Sequence, residues 1–223
     1  MSSPPTPLAD LRVRTIQRRL LAWGRQNYKR YEWREESDPW VTLVAEFLLQ
    51  RTRARQVESA FLDFKSKYPT AEALVLAGPE AARRVLDNLG LYWRAPLLYK
   101  LAETVADRGG LPPESENELA RLIGVGPYTA AAWLSLHRGK RAVIIDANVS
   151  RFLSRLTGRK RPADARHCGW LANMADRLTP RRAFRDYNYA ALDFTMTVCT
   201  RIRPICQECP LLRYCEYGRC QAP

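Results

Sequence analysis

The chain has 223 residues, enough to bury one large core or two small ones, and its 46% hydrophobic content is that of a soluble globular protein. With 36 Lys and Arg against 23 Asp and Glu, its formal net charge is +13, which favours an acidic partner and above all a polyanion. No run approaches the ~18 apolar residues of a membrane-spanning helix, and the Pro/Ser-rich start, Met1 to Pro7, lacks the apolar stretch of a secretory signal. A cytoplasmic, nucleoid-associated location is therefore expected. In that compartment six cysteines serve better as metal ligands than as disulfides.

In chain order, residues 1–10 read as a disordered tail, and Leu11 to about Tyr28 as an amphipathic helix with Ile16, Leu20 and Trp23 set among arginines. Tyr31 to Trp40 reads as a loop. Val41 to Gln50 follows as a helix apolar on nearly every side and so buried. Glu46 is the anomaly in it, flanked at helical spacing by Leu43 and Leu49. It is either a partly desolvated carboxyl or a Glu facing solvent or a nearby Arg. Arg51-Thr52-Arg53-Ala54-Arg55 makes a basic corner, a grip for backbone phosphates or a solvated charge run. Helices are expected over Gln56–Tyr68, Glu80–Asn88 (ended by Gly90), Ala95–Arg108, Asn148–Thr157, Trp170–Leu178 and Asn188–Cys199, with a short turn at Leu91-Tyr92-Trp93-Arg94. Ala142 to Ile145 is strand-like but too isolated to build a sheet, so the fold class is all-α.

Two stretches carry chemistry. Ser115-Glu116-Asn117-Glu118 has capping-box spacing and should start a helix with Leu119, Leu122 and Ile123 on one side. Gly124-Val125-Gly126 and then the helix-prone run from Thr129 follow it. Glycines permit positive φ and close approach, and the unpaired amides of a helix start suit an anion, most often a phosphate. A Gly-rich turn without a ligand is the plainer reading. Near the C-terminus Cys199, Cys206, Cys209 and Cys215 form C-x6-C-x2-C-x5-C, able to wrap one compact metal centre. The uneven spacing without histidine suits a cubane iron–sulfur cluster somewhat better than zinc, with free thiols as the third option.

Taken together, Leu122 to Ala130, the Val-Ile-Ile-Asp-Ala-Asn-Val run at 143–149, Asn188 to Arg201 and the cysteine comb resemble the helix-hairpin-helix DNA glycosylase superfamily. The resemblance covers nearly the whole chain and is to the endonuclease III-like branch with a [4Fe-4S] cluster, nearest its archaeal-type glycosylases for thymine or uracil opposite guanine. Ile123 stands where that family usually has proline. The resemblance implies a two-lobed all-α fold. One lobe is a six-helix lobe over 34–146 containing the helix-hairpin-helix (115–137). The other combines 11–33 with 147–223 and carries the cluster loop (199–215), with a cleft between the lobes.

It further implies a monomer that acts on double-stranded DNA containing a mismatched or damaged base. Gly124, Val125, Gly126 and Thr129 of the hairpin, with Gln50, Arg51 and Thr52, would bind DNA. Cys199, Cys206, Cys209 and Cys215 would hold the cluster. Asp146 matches the essential aspartate, although a helix N-cap would account for it on bare sequence. Tyr128 occupies the position where glycosylase/lyases carry the lysine that forms a Schiff base, so base release without efficient strand cleavage is implied. Glu46 followed by Gln50-Arg51-Thr52 is a hybrid of the thymine and adenine patterns, and Glu46 could protonate a purine leaving group. Tyr128, and an end eight residues past Cys215, favour thymine or uracil over an adenine glycosylase acting on A:G or A:8-oxoG. A non-catalytic DNA-binding or redox iron–sulfur protein is a further alternative, against which Asp146 stands.

Overall fold

In the computed structural model, which describes residues 10–165 and 167–221, every regular element is helical, and Ala142–Ile145 forms no strand. The fold is all-α. The chain makes two compact units, one of residues 30–140 and one in which residues 10–29 join 141–221. It opens with α1 (Asp10–Asn27), which buries Val13, Ile16 and Leu20. Residues 1–9 of the expected tail lie outside the described residues, and Asp10 already belongs to α1.

The stretch read from sequence as a loop contains a short helix, α2 (Glu32–Glu35), whose Trp33 meets Phe61 edge-on at 5.9 Å. Helix α3 (Pro39–Leu48) starts two residues before the expected Val41, because Asp38 caps it. The Val41 amide donates to the Asp38 carboxylate at 2.9 Å, and Pro39 occupies the first turn, where no amide is required. Helix α4 (Ala54–Lys67) places Phe61 and Phe64 in the core. Helix α5 (Ala71–Ala77), which the sequence pattern did not reveal, is capped by Thr70, whose hydroxyl accepts from the Ala73 amide at 3.2 Å. Helix α6 (Pro79–Asp87), a 3-10 turn at Tyr92–Arg94 and α7 (Ala95–Ala106) follow.

The expected capping box does not form. Helix α8 (Glu116–Leu119) is a single turn, the Ser115 side chain makes no cap hydrogen bond, and the backbone turns tightly from Ala120 to Leu122 instead. Leu119 is buried but Ile123 is 41% exposed, so the two do not share one apolar side. Helix α9 (Pro127–His137) is apolar and packs on α3, where the Trp133 indole N–H donates to Thr42 Oγ1 at 3.0 Å.

Beyond residue 140 the chain builds the other unit from α10 (Ala147–Thr157), α11 (Gly169–Leu178), α12 (Phe184–Thr197) and α13 (Glu216–Gln221), together with α1. Helices α1 and α12 touch at Gly24, where a Cβ would stand 2.4 Å from that of Ala190. Trp23 and Phe152 both meet Phe194 edge-on at 5.4 Å. This aromatic core carries α10, and with it Asp146 at the start of the helix.

Candidate nucleic-acid interface and active-site residues

The two hairpin glycines do different work. Gly124 has φ +75°, and a Cβ there would lie 2.5 Å from Phe47 Cε2, so both backbone and packing demand glycine. Gly126 has an ordinary φ of −91° and nothing within 4 Å of where its Cβ would be. It stands as the N-cap of α9, exposed together with Pro127, and leaves the helix start open to an approaching anion. Val125, expected as a contact residue, is buried at 3% exposure, and its amide donates to the Leu122 carbonyl at 3.0 Å. Tyr128, half-buried, is the second residue of α9.

Gln50 and Thr129, also expected to face a ligand, turn inward. The Gln50 side-chain amide donates to the Gly124 carbonyl at 3.0 Å and to Thr129 Oγ1 at 2.9 Å, and Thr129 is 3% exposed. Gln50 in turn accepts from Arg94, a buried guanidinium that sequence reading left in a turn without a role. Its signal in the sequence was only an Arg beside two aromatics. The Thr52 hydroxyl donates back to the Leu48 carbonyl at 2.6 Å and so serves the end of α3. Arg51 does face outward. It is exposed, adopts φ +63°, and sets its guanidinium 5.9 Å from the ring centre of Trp93, itself 53% exposed beside a 59% exposed Tyr92.

Glu46 is buried, and its partner is neither solvent nor arginine. His137 Nε2 at the end of α9 lies 2.9 Å from Glu46 Oε1, with side-chain exposures of 1% for the histidine and 5% for the glutamate. His137 Nδ1 is buried without a hydrogen-bond partner.

In the other unit Asp146 is indeed the N-cap of α10, and a tightly held one. Its Oδ1 accepts from the amides of Asn148 (2.9 Å) and Val149 (2.6 Å), and its Oδ2 accepts from the Asn148 side-chain amide (2.8 Å). Arg151 donates to Asn148 Oδ1 at 2.8 Å and to the carbonyls of Thr195 and Cys199 at 2.8 and 2.9 Å. A hydrogen-bonded chain thus runs from the carboxylate to the first cysteine of the comb.

The four comb cysteines line one pocket together with Phe152, Phe194 and Leu211. Their sulfurs receive weak donors: the amides of Leu211 and Gly218, each at 3.4 Å to Cys209 and Cys215, and the Arg155 guanidinium at 3.5 Å to Cys199. Burial pushes the Cys209 thiol up to about 12 and raises Cys206 and Cys215, and the neighbouring cysteines add to the rise. Thiolate, the form that binds metals, is disfavoured in such a pocket unless a cation stabilises it. Among the described residues no group of three or more His, Cys, Asp or Glu is arranged to hold a metal ion. Cys168, half-buried, and Cys220, exposed, lie outside the pocket.

An open helix start after a tight glycine hairpin, in a chain of charge +13, defines a helix-hairpin-helix protein built to meet polyanions. The chain belongs to the HhH-GPD superfamily of base excision DNA repair proteins, whose family model matches residues 44–168. It is 36% identical to the thymine-DNA glycosylase of Aeropyrum pernix over 92% of this chain and 95% of that one. It is 35% identical to the thymine/uracil-DNA glycosylase of Pyrobaculum aerophilum over 86% of each chain. A solved structure of a thermostable thymine-DNA glycosylase superposes with a TM-score of 0.88 at 30% identity, covering 94% of this chain and 98% of that one.

Proposed function

We propose that the protein is a mismatch-specific DNA glycosylase that hydrolyses the N-glycosidic bond of thymine or uracil opposite guanine and leaves an abasic site. The observation that carries the substrate is the near full-length similarity to thymine and thymine/uracil glycosylases. Chemistry within this chain agrees. The hairpin supplies a phenol, Tyr128, where an imine-forming mechanism needs an amine, so base release occurs without efficient strand cleavage. The open start of α9 takes a backbone phosphate, and a mismatched base is the cheapest to extrude from the stack.

Asp146 has room for chemistry despite its capping role. A carboxylate has about four lone-pair sites. Three are filled by Asn148 and Val149, leaving capacity on Oδ2 for a water or for the charge that develops on the sugar. Tyr128 lines the space for the flipped nucleotide. For a pyrimidine leaving group Glu46 is secondary, its carboxyl being engaged by His137. The cysteine loop 199–215 would hold a [4Fe-4S] cluster through Cys199, Cys206, Cys209 and Cys215. When bound, that group would act as a structural staple for a loop rich in arginine.

Single-turnover base release on duplexes carrying T:G, U:G, A:G, A:8-oxoG and ordinary pairs, with and without alkali, tests the reading. Alkali-dependent cleavage at T:G or U:G is expected, with no borohydride-trapped adduct. Release of adenine alone would move the protein to the purine branch and make Glu46 the general acid.

A further inference from the structure

We propose that Arg94 is a positioning residue that locks the Gly124–Thr129 hairpin and the Arg51 corner into one surface for DNA. The inference rests on the reading of that hairpin as the phosphate grip. Arg94 is 3% exposed, and its guanidinium lies 4.0 Å over the Phe47 ring, the same ring that a Cβ at Gly124 would strike. From Nη1 it donates to the carbonyls of Phe47 (3.1 Å) and Gln50 (3.4 Å), the first of which also accepts from the Gln50 amide at 3.3 Å where α3 ends. From Nη2 it donates to Gln50 Oε1.

That last bond fixes the rest. A guanidinium can only donate, so it dictates that Gln50 presents its oxygen to Arg94 and its NH₂ to the hairpin. There the NH₂ finds two acceptors, the Gly124 carbonyl and the Thr129 hydroxyl. Arg94, Gln50 and the hairpin thus form one directional relay, and Gln50 cannot turn over without facing donor against donor. The next residue in sequence is Arg51, held in the left-handed region and projecting beside Trp93. A non-glycine residue keeps such a conformation only where its surroundings over-determine it, and the anchored Gln50 carbonyl does so here.

The acceptors of Arg94 are two backbone carbonyls and one amide, all neutral. Burial first, and the nearby Arg51 charge second, lower its pKa from the ordinary guanidinium value. A buried cation with only neutral acceptors is a poor choice for stability alone, since apolar residues of similar size serve a core as well or better. Under a phosphate-binding hairpin it adds a positive field where an anion would sit.

Two variants test this, each measured for melting temperature, for Kd on a duplex with an abasic-site analogue, and for single-turnover rate. Gln50→Glu keeps the Arg94 contact, now as an ion pair, but removes the donor to Gly124 and sets a carboxylate against its carbonyl. It should stay folded at assay temperature, as its melt would show, yet bind about tenfold more weakly, the worth of a lost hydrogen bond. Arg94→Met should weaken binding similarly at temperatures where it is folded, and the double variant should bind no worse than the weaker single. Wild-type affinity in Gln50→Glu, or penalties that multiply in the double variant, would overturn the proposal. A wild-type protein with no affinity for the duplex would instead bring down the hairpin reading beneath it.

Discussion

The Asn148 side chain can sit only one way round. Its NH₂ donates to Asp146 Oδ2 and its Oδ1 accepts from Arg151, both at 2.8 Å, so a donor-only guanidinium at one end orients the amide that holds the carboxylate at the other. Replacing Asn148 by Ala removes one constraint on Asp146. Replacing it by Asp keeps the Arg151 bond but turns a second carboxylate on the first. We expect Asn148→Asp to lower the single-turnover rate at T:G by roughly a hundredfold or more, and by more than Asn148→Ala does. Asp146→Asn should abolish base release while duplex binding survives. Near-normal rates in Asp146→Asn would remove that residue from the mechanism.

The two hairpin glycines should separate stability from binding. Gly124→Ala places a methyl at φ +75° and 2.5 Å from an aromatic carbon, and should cost about 3 kcal/mol of stability. Gly126→Ala meets open space at an ordinary φ, so stability should move by less than ~0.5 kcal/mol. Its methyl stands over the start of α9, so duplex binding should weaken. Denaturant melts and Kd measurements on the pair decide the matter. A Gly126→Ala protein that binds normally would mean no ligand approaches that face.

What could be read in advance divides along physical lines. The helices with a strong apolar period (α1, α4, α10) fell where expected, because periodicity records burial directly. The capping box at Ser115 misled. Its spacing is local, whereas the hairpin that follows needs the chain to turn by Ala120. Gln50, Val125 and Thr129, expected as DNA contacts, turn their side chains inward. Sequence beside a glycine turn does not tell which way a side chain points, and only the inward partner, Arg94, shows that Gln50 is an internal strut. Neither Arg94 nor His137 was legible, since each acquires its role from a residue more than forty positions away.

The end of α9 carries a pH-dependent clamp. Glu114 accepts from Lys140 and from Arg138, which together hold its carboxyl down from 4.5 to about 2. A folded-state pKa below the unfolded one gives stability that is fully present above about pH 4.5 and is lost as pH falls through about 2. Because Glu114 lies at the surface, the clamp is screened by salt. Carbon-detected NMR titration should place the Glu114 midpoint well below the ordinary value of 4.5. Addition of salt should raise it toward that value, and a midpoint near 4.5 at low salt would show that the clamp does not form in solution.

Cysteine chemistry offers a visible readout. Purified protein should be brown and contain iron and acid-labile sulfide. Cys209→Ser, which removes the thiol most strongly affected by burial, should bleach it and lower its melting temperature. Colourless wild-type protein with stoichiometric zinc would refute the cluster.

Glu46 and His137 test the substrate assignment most directly. The pair is nearly sealed, and His137 Nδ1 has no partner, so the imidazole has little other reason to be there than to meet Glu46. His137→Ala would leave a buried carboxyl without its partner and should destabilise the protein by about 3 kcal/mol. Glu46→Gln is milder, since the amide oxygen can still accept from the Nε2–H tautomer. If the leaving group is a pyrimidine that departs without protonation by this carboxyl, Glu46→Gln should release thymine from T:G within about tenfold of the wild-type rate. That margin is far short of the 10²–10⁴-fold that loss of a general acid costs. A thousandfold loss in a variant that melts normally would make Glu46 catalytic and would reopen the purine branch, because a buried carboxyl held beside an imidazole is equipped to deliver a proton to an adenine ring nitrogen.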